Sequence, residues 1–524
     1  MSSWWSESTF YQVYMPSFCD GNGDGMGDFL GLTAKLDYLQ GLGAEGIWIT
    51  PFYPSPMVDN GYDVSDHCNV DPKFGSLDDF DFFVEQAHAR GIKVIVDIVL
   101  NHVSSEHPWF TCAKGDPKSH YRDYFFFADE PNNWESFFGG SAWTHESEVN
   151  GVGEQFYYHK FSPKQVDLNW TNPRVIEEAK KIFDFWINRG VDGFRLDVIN
   201  FLSTKGICED NPCDKNNKQE HTNDIDQPGI HEAINDIATY IHQKGDYFVV
   251  GEVGSDNVDK LADYRNNSGL DVVFNFNLGS LETFDVSEMM NQIKLMEEKQ
   301  SGLATLFFSS HDMPRMISRF GEDVRDVQRA KAISVLQLSA KGIPFIYQGE
   351  EFGFPDYLPD SLEDIHDVQG LTHYKESIDA GMDKDDALKI AIEKSRDKSR
   401  YPIRWDDSEF GGFSTHRPWL YGKSNEFNVN ARDEMKNKEG LYQHYRSLID
   451  LRKNNVVLRK GEYKEITTDD DLVYILRHYE ESLVGIYINF SNKARLVAIP
   501  LGAEVIFGKD FDHLDKNEFV IFKL

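Results

Sequence analysis

The chain is poor in cysteine, has no long apolar run and carries fewer basic than acidic residues. No two of its cysteines form a CxxC pair and their number is odd, so neither a zinc site nor a disulfide framework is predicted from them. No stretch reaches about 18 apolar residues, and the N-terminal sequence MSSWWSESTFYQVY lacks the basic and apolar regions of a signal peptide. These absences predict a protein that has no membrane contact and lies in the cytoplasm. The cysteines are Cys19, Cys68, Cys112, Cys208 and Cys213.

The net charge of the chain is strongly negative. Asp and Glu number 87 against 53 Lys and Arg among 524 residues, which gives a formal charge of −34. Such a field repels nucleic acid, so no nucleic-acid partner is expected, whereas a small neutral ligand feels little of it. Hydrophobic residues at 40% and charged residues at 27% are typical of a globular protein. The acidity is therefore interpreted as a contribution to solubility.

Eight short runs rich in β-branched and aromatic residues recur along the chain, and amphipathic helical patterns lie between them. Strand and helix alternating eight times predict the α/β class and a (β/α)8 TIM barrel rather than an open sheet. The predicted strands are Phe10–Tyr14, Gly46–Thr50, Lys93–Ile98, Gly193–Val198, Tyr247–Val253, Val272–Phe276, Ala304–Ser309 and Pro344–Gln348.

Two segments do not fit the barrel pattern. About 95 residues separate the third strand from the fourth, far more than a barrel loop needs. Residues 103–172 are therefore predicted to form a small inserted domain, and residues 1–102 and 173–455 the catalytic barrel. From residue 456 short alternating strands predict a C-terminal antiparallel β-domain of the sandwich type, residues 456–524.

Polar side chains follow several of the predicted strands. The C-terminal ends of barrel strands form the active-site face, so these side chains are expected to converge. Cleavage of a glycosidic bond needs an acid for the leaving oxygen and a carboxylate for the anomeric carbon, and the set contains both. Acidic residues at strand ends also bind metals, act as bases in other enzymes or are solvated loop charges. The set is Asp97, Asn101, His102, Arg195, Asp197, Glu252, His311 and Asp312.

Five short motifs resemble the signatures of the α-amylase superfamily, glycoside hydrolase family 13. DIVLNH (97–102), GFRLDV (193–198), GEV (251–253) and FSSHD (308–312) resemble the four main signatures in order, and QVDLN (165–169) resembles a further one. The resemblance spans essentially the whole chain and includes bacterial oligo-1,6-glucosidases, dextran glucosidases and α-glucosidases.

The resemblance implies a retaining α-glucosidase that releases glucose from the non-reducing end of short α-glucosides through a covalent glucosyl-enzyme. Asp197 is implied as the nucleophile, Glu252 as the general acid/base, and Asp312 as the residue that holds sugar hydroxyls and stabilises the transition state. Arg195 would orient Asp197. The expected partner is a small oligosaccharide, and the expected assembly is a monomer or a weak homodimer.

Further residues are implied to contact the sugar. Asp63 in GYDVSD resembles the carboxylate that fixes the non-reducing end, and Arg400 in RDKSRYPIRW resembles the arginine that pairs with it. This pair is expected to close the pocket, so that one glucose is removed from a chain end. The other implied contacts are His102, Phe161, Gln165 and His311.

Several positions bear on specificity. His67 stands where the glucosidases have tyrosine and would put a smaller, titratable ring near the sugar, while Ser310 stands where asparagine precedes the histidine. Val198, directly after the implied nucleophile, resembles the α-1,6-specific enzymes, whereas α-1,4-specific relatives carry threonine. Val166 is less decisive, because relatives that prefer α-1,6 bonds often have proline there. The expected substrates are therefore short isomalto-oligosaccharides.

Other functions remain open at this stage. The nearest alternative is an α-1,4-glucosidase, or a transglycosylase or isomerase acting on maltose, sucrose or trehalose, although residues 318–325 lack the charged loop of sucrose isomerases. A remote alternative is a non-catalytic transporter subunit of the superfamily. Such subunits lack the catalytic set and carry a membrane helix, whereas this chain has three candidate carboxylates and no spanning run.

The loop DGNGDGMGD (20–28) carries oxygen-bearing side chains at alternate positions, a spacing that suits calcium or magnesium. It is not an EF-hand, because its twelfth position is Gly31 rather than glutamate. The resemblance implies a structural Ca²⁺ site, with Mg²⁺ as the other candidate, whereas an Asx-turn loop without metal is the competing interpretation. The expected ligands are Asp20, Asn22, Asp24, the backbone carbonyl of Met26, and Asp28.

Overall fold

A computed structural model describes residues 3–207, 209–300, 303–421, 429–509 and 512–524. Cys208 lies outside these ranges, and the other four cysteines are free thiols. Among the helices of these ranges, none has the length and apolar character needed to cross a lipid bilayer.

Eight parallel strands form the centre of the molecule. They are Phe10–Val13 (β1), Gly46–Ile49 (β2), Lys93–Val99 (β3), Gly193–Asp197 (β4), Phe248–Gly251 (β5), Val272–Val273 (β6), Thr305–Leu306 (β7) and Ile343–Tyr347 (β8). Hydrogen bonds pair them in the order β6-β5-β4-β3-β2-β1-β8-β7, which is a nearly closed barrel. The predicted TIM barrel is confirmed.

Strands β6 and β7 are much shorter than the sequence pattern predicted. After Val273 the chain turns into the short helix Phe276–Gly279 instead of extending the strand. The side chain of Thr305 joins the two strands, because its hydroxyl accepts from the backbone N–H of Asn275 at 2.9 Å and donates to the carbonyl of Val273 at 3.3 Å. A side chain thus replaces the missing ladder at this seam of the barrel.

Amphipathic helices surround the barrel. In Pro173–Ile187 the buried residues fall at positions 175, 179, 182, 183 and 186, which is one face of a 3.6-residue period. Asn172 caps this helix by accepting from the N–H of Arg174, and Pro173 occupies its first turn. The other long helices between barrel strands are Leu77–Ala89, Ile230–His242, Val258–Asn267, Val286–Lys299 and Val327–Ser339, and Leu441–Asn454 follows the last strand.

The segment between β3 and β4 folds as short antiparallel pairs above the barrel. His102–Ser104 pairs with Gln165–Asp167, and Phe156–Tyr158 lies between Phe127–Ala128 and Trp143–His145. The first pair starts directly after β3, with His102 opposite Asp167. The ladder therefore brings His102 and Gln165 to the mouth of the barrel.

The C-terminal part is an antiparallel sheet of five strands, as expected. Buried Arg452 and Arg477 attach it to the barrel, because both donate to the carbonyl of Leu458 and to carbonyls in the last turn of the helix Val327–Ser339 or directly after it. The strands lie in the order Glu462–Asp469, Leu472–Tyr479, Ser482–Asn489, Glu518–Lys523 and Glu504–Gly508.

Candidate active site

A cavity of about 410 Å³ lies at the C-terminal ends of the barrel strands. Four carboxylates and an arginine share it with a cluster of phenylalanines, so the cavity offers both charged groups and apolar walls. The polar lining residues are Asp59, Tyr62, His102, Gln165, Asp197, Glu252, Asp312, Gln369 and Arg396. The remaining lining residues are Phe137, Phe138, Phe161, Val198, Phe201 and Gly254.

Arg195 holds Asp197 and Glu252 against one wall of this cavity. The two-residue period of β4 puts Arg195 and Asp197 on the same face of the strand. One terminal nitrogen of Arg195 donates to Asp197 and, at 2.7 Å, to Asp97, while the other donates to Glu252. Because β4 and β5 are neighbours in the sheet, the two carboxylates share both a cation and a cavity.

The carboxylates around Arg195 titrate near neutral pH. Burial raises the pKa of Asp197 to about 7 and that of Glu252 to about 7, although Arg195 opposes both shifts. Burial also raises the pKa of Asp97 to about 6. One guanidinium does not balance three carboxylates, so the group retains a proton that the members share. Such a group supplies both an ionised carboxylate and a protonated acid, as a retaining glycosidase requires.

Asp312, which also lines the cavity, is kept ionised. Burial alone would raise its pKa, but contacts with His311, Arg400 and Arg396 hold the pKa well below its usual value. Arg400 donates to Oδ1 of Asp312 at 2.9 Å, and His311 Nε2 lies 3.0 Å from Oδ2. A permanently charged carboxylate at this place favours a positive charge on a sugar ring.

The tautomer of His311 follows from its neighbours. The amide of Gln12 donates to Nδ1 at 2.7 Å, so the ring proton lies on Nε2. Nε2 is 2.6 Å from the hydroxyl of Tyr62, which donates in turn to Asp97 at 3.0 Å. Neutral His311 therefore donates toward Tyr62 and Asp312. His311 itself is 1% exposed and lies behind the cavity wall.

Asp63 and Arg400 do not form the predicted pair, which is a correction to the sequence interpretation. Asp63 is fully buried and accepts from Ser55 Oγ at 2.9 Å and from the N–H groups of Val58 and Asp59 at 2.9 and 3.0 Å. Its carboxylate therefore shapes the loop after β2. Arg400 bonds the carbonyl of His311 and the carboxylate of Asp312.

Asp59 and Arg396 occupy the place expected for that pair. Both line the cavity, and Arg396 donates to Asp59 at 2.6 Å. Arg396 also donates to Asp367 at 2.5 Å, and Gln165 donates to Asp59 at 3.0 Å. Asp59 lies four positions before Asp63, and Arg396 lies four positions before Arg400. The motifs therefore identified the right segments but the wrong side chains.

The other lining residues include some that the motifs implied, such as Phe161 and His102, and some that they did not. Phe138, Phe161 and Phe201 form one buried cluster, against which Val198 packs. His102 Nε2 lies 3.0 Å from the carbonyl of Tyr62, which fixes the orientation of its ring. Tyr62, Phe137, Phe138, Phe201 and Gln369 line the cavity but are not implied by the motifs. The four aromatic residues could not be distinguished by sequence, because aromatic side chains are common throughout this chain.

His67 does not lie near the expected sugar position, contrary to the sequence interpretation. Its ring is buried against Tyr53 and His107, and Nε2 contacts the carbonyl of Val99 at 3.1 Å, behind β3. Burial lowers the pKa of His67 to about 4, so the ring is neutral in the physiological range. Ser310 accepts from the N–H of Asp312 at 3.2 Å and holds the turn that presents this carboxylate.

The loop 20–28 is shaped by its own acidic side chains. Asp20 accepts from the N–H groups of Gly23 and Gly25 at 2.5 and 2.7 Å, and Asp28 accepts from those of Gly21, Asn22 and Gly31. Within the described ranges, no three acidic, histidine or cysteine side chains are grouped as metal ligands. Asx-type hydrogen bonds thus account for the loop conformation, and the Ca²⁺ site stays a prediction.

The α-amylase catalytic domain matches residues 12–461. The chain belongs to the α-amylase family. It is 36% identical to the oligo-1,6-glucosidase of Parageobacillus thermoglucosidasius over 522 residues, which are 95% of this chain and 92% of that protein. This member of the α-amylase family is a glycoside hydrolase of the α-glucosidase type.

Two further relatives differ in the reactions their names describe. The chain is 36% identical to the trehalose-6-phosphate hydrolase of Escherichia coli K12 over 494 residues, 90% of this chain and 88% of that one. The chain is also 30% identical in sequence to an isomaltulose synthase from Klebsiella sp. LX3. The crystal structure of that enzyme matches this one with a TM-score of 0.91 over 100% of this chain and 99% of the synthase. Full-length likeness thus extends to enzymes with different substrates.

Proposed function

We propose that this chain is an exo-acting retaining glucosidase that releases glucose from the non-reducing end of short, neutral, α-1,6-linked glucosides. The observation that carries the proposal is the contact of Asp197 and Glu252 with the same guanidinium at the wall of one cavity. In this proposal Asp197 is the nucleophile, Glu252 the general acid/base, and Asp312 the charge that stabilises the transition state.

In the first half-reaction the carboxylate of Asp197 forms a bond to the anomeric carbon while the glycosidic C–O bond breaks. Glu252 donates its proton to the leaving oxygen, so the aglycone departs as a neutral alcohol. The ring carries positive charge at the transition state, and the ionised Asp312 stabilises it. The product is a glucosyl ester of Asp197.

In the second half-reaction Glu252 acts as the base. It takes a proton from water, the water oxygen attacks the anomeric carbon, and the ester bond to Asp197 breaks. Ester formation removes the negative charge of Asp197, which otherwise raises the pKa of Glu252, so Glu252 is a carboxylate when it is needed as one. Two inversions give net retention, and α-glucose leaves.

The contact between Asp59 and Arg396 supports exo-action. These groups come from the loop after β2 and the segment after β8, and Gln165 from the inserted segment joins them. A charged pair with an adjacent amide presents donors and acceptors to the hydroxyls of a terminal sugar, and in this proposal it closes that end of the cavity to a further unit. Cleavage from the chain end follows from that closed wall.

The charges of the cavity support a neutral substrate. Four of the described lining residues carry carboxylates. Arg396, the arginine of the lining, is already bonded to Asp59 and Asp367. A phosphate group would meet repulsion there without an available cation. We therefore favour neutral glucosides over a phosphorylated disaccharide such as the substrate named for the trehalose-6-phosphate hydrolases.

Val198 supports the α-1,6 assignment, because it lines the cavity beside Asp197 with an apolar branched side chain. A difference of one methyl-sized group in a pocket changes the preference between two substrates by about 1–3 kcal/mol, or 10- to 200-fold in kcat/KM. The test is to compare kcat/KM on isomaltose, maltose, trehalose, sucrose and trehalose 6-phosphate for the wild type and Val198→Thr. Isomaltose is expected to lead in the wild type, and maltose to gain in the variant; a wild type that prefers maltose overturns the assignment.

The alternative that keeps support is glucosyl transfer, including isomerisation of sucrose. It rests on the likeness to isomaltulose synthase. Chromatography of the products from sucrose distinguishes hydrolysis from isomerisation, because hydrolysis gives glucose and fructose in equal amounts whereas isomerisation gives a new disaccharide. Cytoplasmic location and a monomeric or weakly dimeric assembly stay predictions.

A further inference from the structure

Val198 adopts a backbone conformation that its residue type disfavours. Its φ and ψ are 37° and 46°, in the left-handed region. A β-branched residue is a rare occupant of that region, because its side chain crowds the backbone there. Strained positions of this kind persist only where the surroundings fix them, and they cluster at functional sites.

The surroundings of Val198 do fix the turn. The N–H of Phe201 donates to the carbonyl of Val198 at 3.1 Å, and the N–H of Ile199 donates to the carbonyl of Glu252 at 3.0 Å. The side chain packs against the buried cluster of Phe138, Phe161 and Phe201. The end of β4 is thus tied both to the end of β5 and to the cavity wall.

The consequence is the direction of one N–H group. In this turn the N–H of Val198 donates to Oε2 of Glu252 at 3.2 Å, and Arg195 donates to the same oxygen. Two donors on Oε2 leave Oε1 as the oxygen that carries the exchangeable proton, since a proton on Oε2 would oppose both. The strained turn therefore orients the carboxyl group as well as the side chain that follows Asp197.

We propose that Val198 is a positioning residue for Glu252 that acts through its backbone: its left-handed turn aims an N–H at Oε2, favours the carboxylate form and keeps the transferable proton on Oε1. This inference rests on the proposed role of Glu252 as acid/base. It is separate from the effect of the Val198 side chain on linkage, because threonine is also β-branched and would keep the same turn.

Other charged groups that face Glu252 also affect its pKa. Arg195 and Asp197 on β4, Asp97 on β3 and Asp312 after β7 interact with its charge. All of them remain when the N–H of Val198 alone is removed. A change in the titration of Glu252 can then be assigned to that one donor.

The test replaces the amide at Val198 by an ester, using the α-hydroxy acid analogue of valine, and follows kcat/KM for an aryl α-glucoside against pH. Loss of this N–H donor raises the pKa of Glu252, so the alkaline limb of the profile is expected to move to higher pH by about half a unit or more. The matched control is the same replacement at Ile199, whose N–H bonds the backbone carbonyl of Glu252 and not its carboxylate. That control is expected to lower the Tm without moving the limb.

An active Val198 ester with an unmoved alkaline limb overturns the proposal, since it would show a structural role only. A second comparison does not depend on the ester: Val198→Gly is expected to have a higher Tm than Val198→Ala, the reverse of the usual order, because only glycine accepts this φ without strain. A more stable alanine variant would contradict the turn itself. Because the kinetic test uses an aryl α-glucoside, which contains no bond between two sugars, and the Tm comparison uses no substrate, a wrong α-1,6 assignment leaves both tests intact.

Discussion

Arg396 donates to Asp59 at 2.6 Å and joins the segment after β8 to the loop after β2 at the cavity wall. The same segments contain Arg400 and Asp63, which are buried behind that wall and bond other partners. Two acidic residues four positions apart, 59 and 63, therefore serve different purposes. Asp59 meets the cavity, and Asp63 holds the loop.

This division predicts opposite phenotypes for two conservative variants. Asp59→Asn is expected to lower kcat/KM by about 10- to 100-fold, because a charge-assisted contact to the sugar is lost, and to lower the Tm less than Asp63→Asn does. Asp63→Asn, the matched control, is expected to lower the Tm, because an amide oxygen cannot accept all three of its hydrogen bonds. Kinetics and thermal unfolding of both variants check this, and the reverse pattern would restore the original assignment.

The barrel and the reacting carboxylates could be predicted from sequence for a physical reason. Buried parallel strands are short apolar runs, and their C-terminal ends meet on one face, so Asp197 and Glu252 fall together once the strands are found. No such rule predicts which of Asp59 and Asp63 lines the cavity. Asn60 and Gly61 between them have φ of 49° and 105°, and these left-handed residues reverse the chain in a way that no hydrophobic period reports.

Arg396 and Arg400 cannot be told apart from the sequence for a related reason. Asp397–Arg400 is a single helical turn that begins after Arg396, and residues four apart on a helix lie on the same face. Both arginines therefore reach Asp312, at 3.4 and 2.9 Å. Which of them also reaches the cavity depends on Asp59 and Asp367, which are distant in sequence.

The pH dependence of activity follows from the raised pKa of Glu252. The first step needs Glu252 protonated and Asp197 ionised, and burial together with the charge of Asp197 raises the pKa of Glu252. The kcat/KM profile is expected to be bell-shaped with its alkaline limb near pH 7. A profile that stays flat to about pH 9 would contradict the environment assigned to Glu252.

Stability is expected to fall as pH rises, because several buried carboxyl groups have raised pKa values; one of them, Glu351, lies outside the active site. Burial raises the pKa of Glu351 from 4.5 to about 7, and Tyr11 and Tyr38 donate to the same oxygen, Oε1. A raised folded-state pKa means that its contribution is complete below the unfolded-state pKa and is lost as pH rises through 7. Glu351→Gln is therefore expected to flatten the decline in Tm between pH 5 and 8.

The control for that experiment is Glu480→Gln, at an exposed position of the C-terminal sheet. It is expected to follow the wild-type decline. If Glu351→Gln declines as steeply as the wild type, the buried carboxyl group is not the source of the pH dependence.

The loop 20–28 is expected to bind Ca²⁺ through Asp20, Asn22, Asp24, the carbonyl of Met26 and Asp28. A cation that binds only the folded state raises its stability, so EGTA is expected to lower the Tm of the wild type and added Ca²⁺ to restore it. The variant Asp24→Ala is expected to start at the lower Tm and to ignore the chelator. A wild-type Tm that does not respond to EGTA would leave the loop as an Asx-turn structure without metal.

The most direct test of the double-displacement account is to trap the glucosyl-enzyme with 5-fluoro-α-glucosyl fluoride and to locate the label by peptide mass spectrometry. The account predicts one glucosyl unit per chain, attached to the peptide that contains Asp197 and absent from Asp197→Asn. A label on another residue, or steady hydrolysis of substrates whose first-formed glucose is the β-anomer, would contradict it.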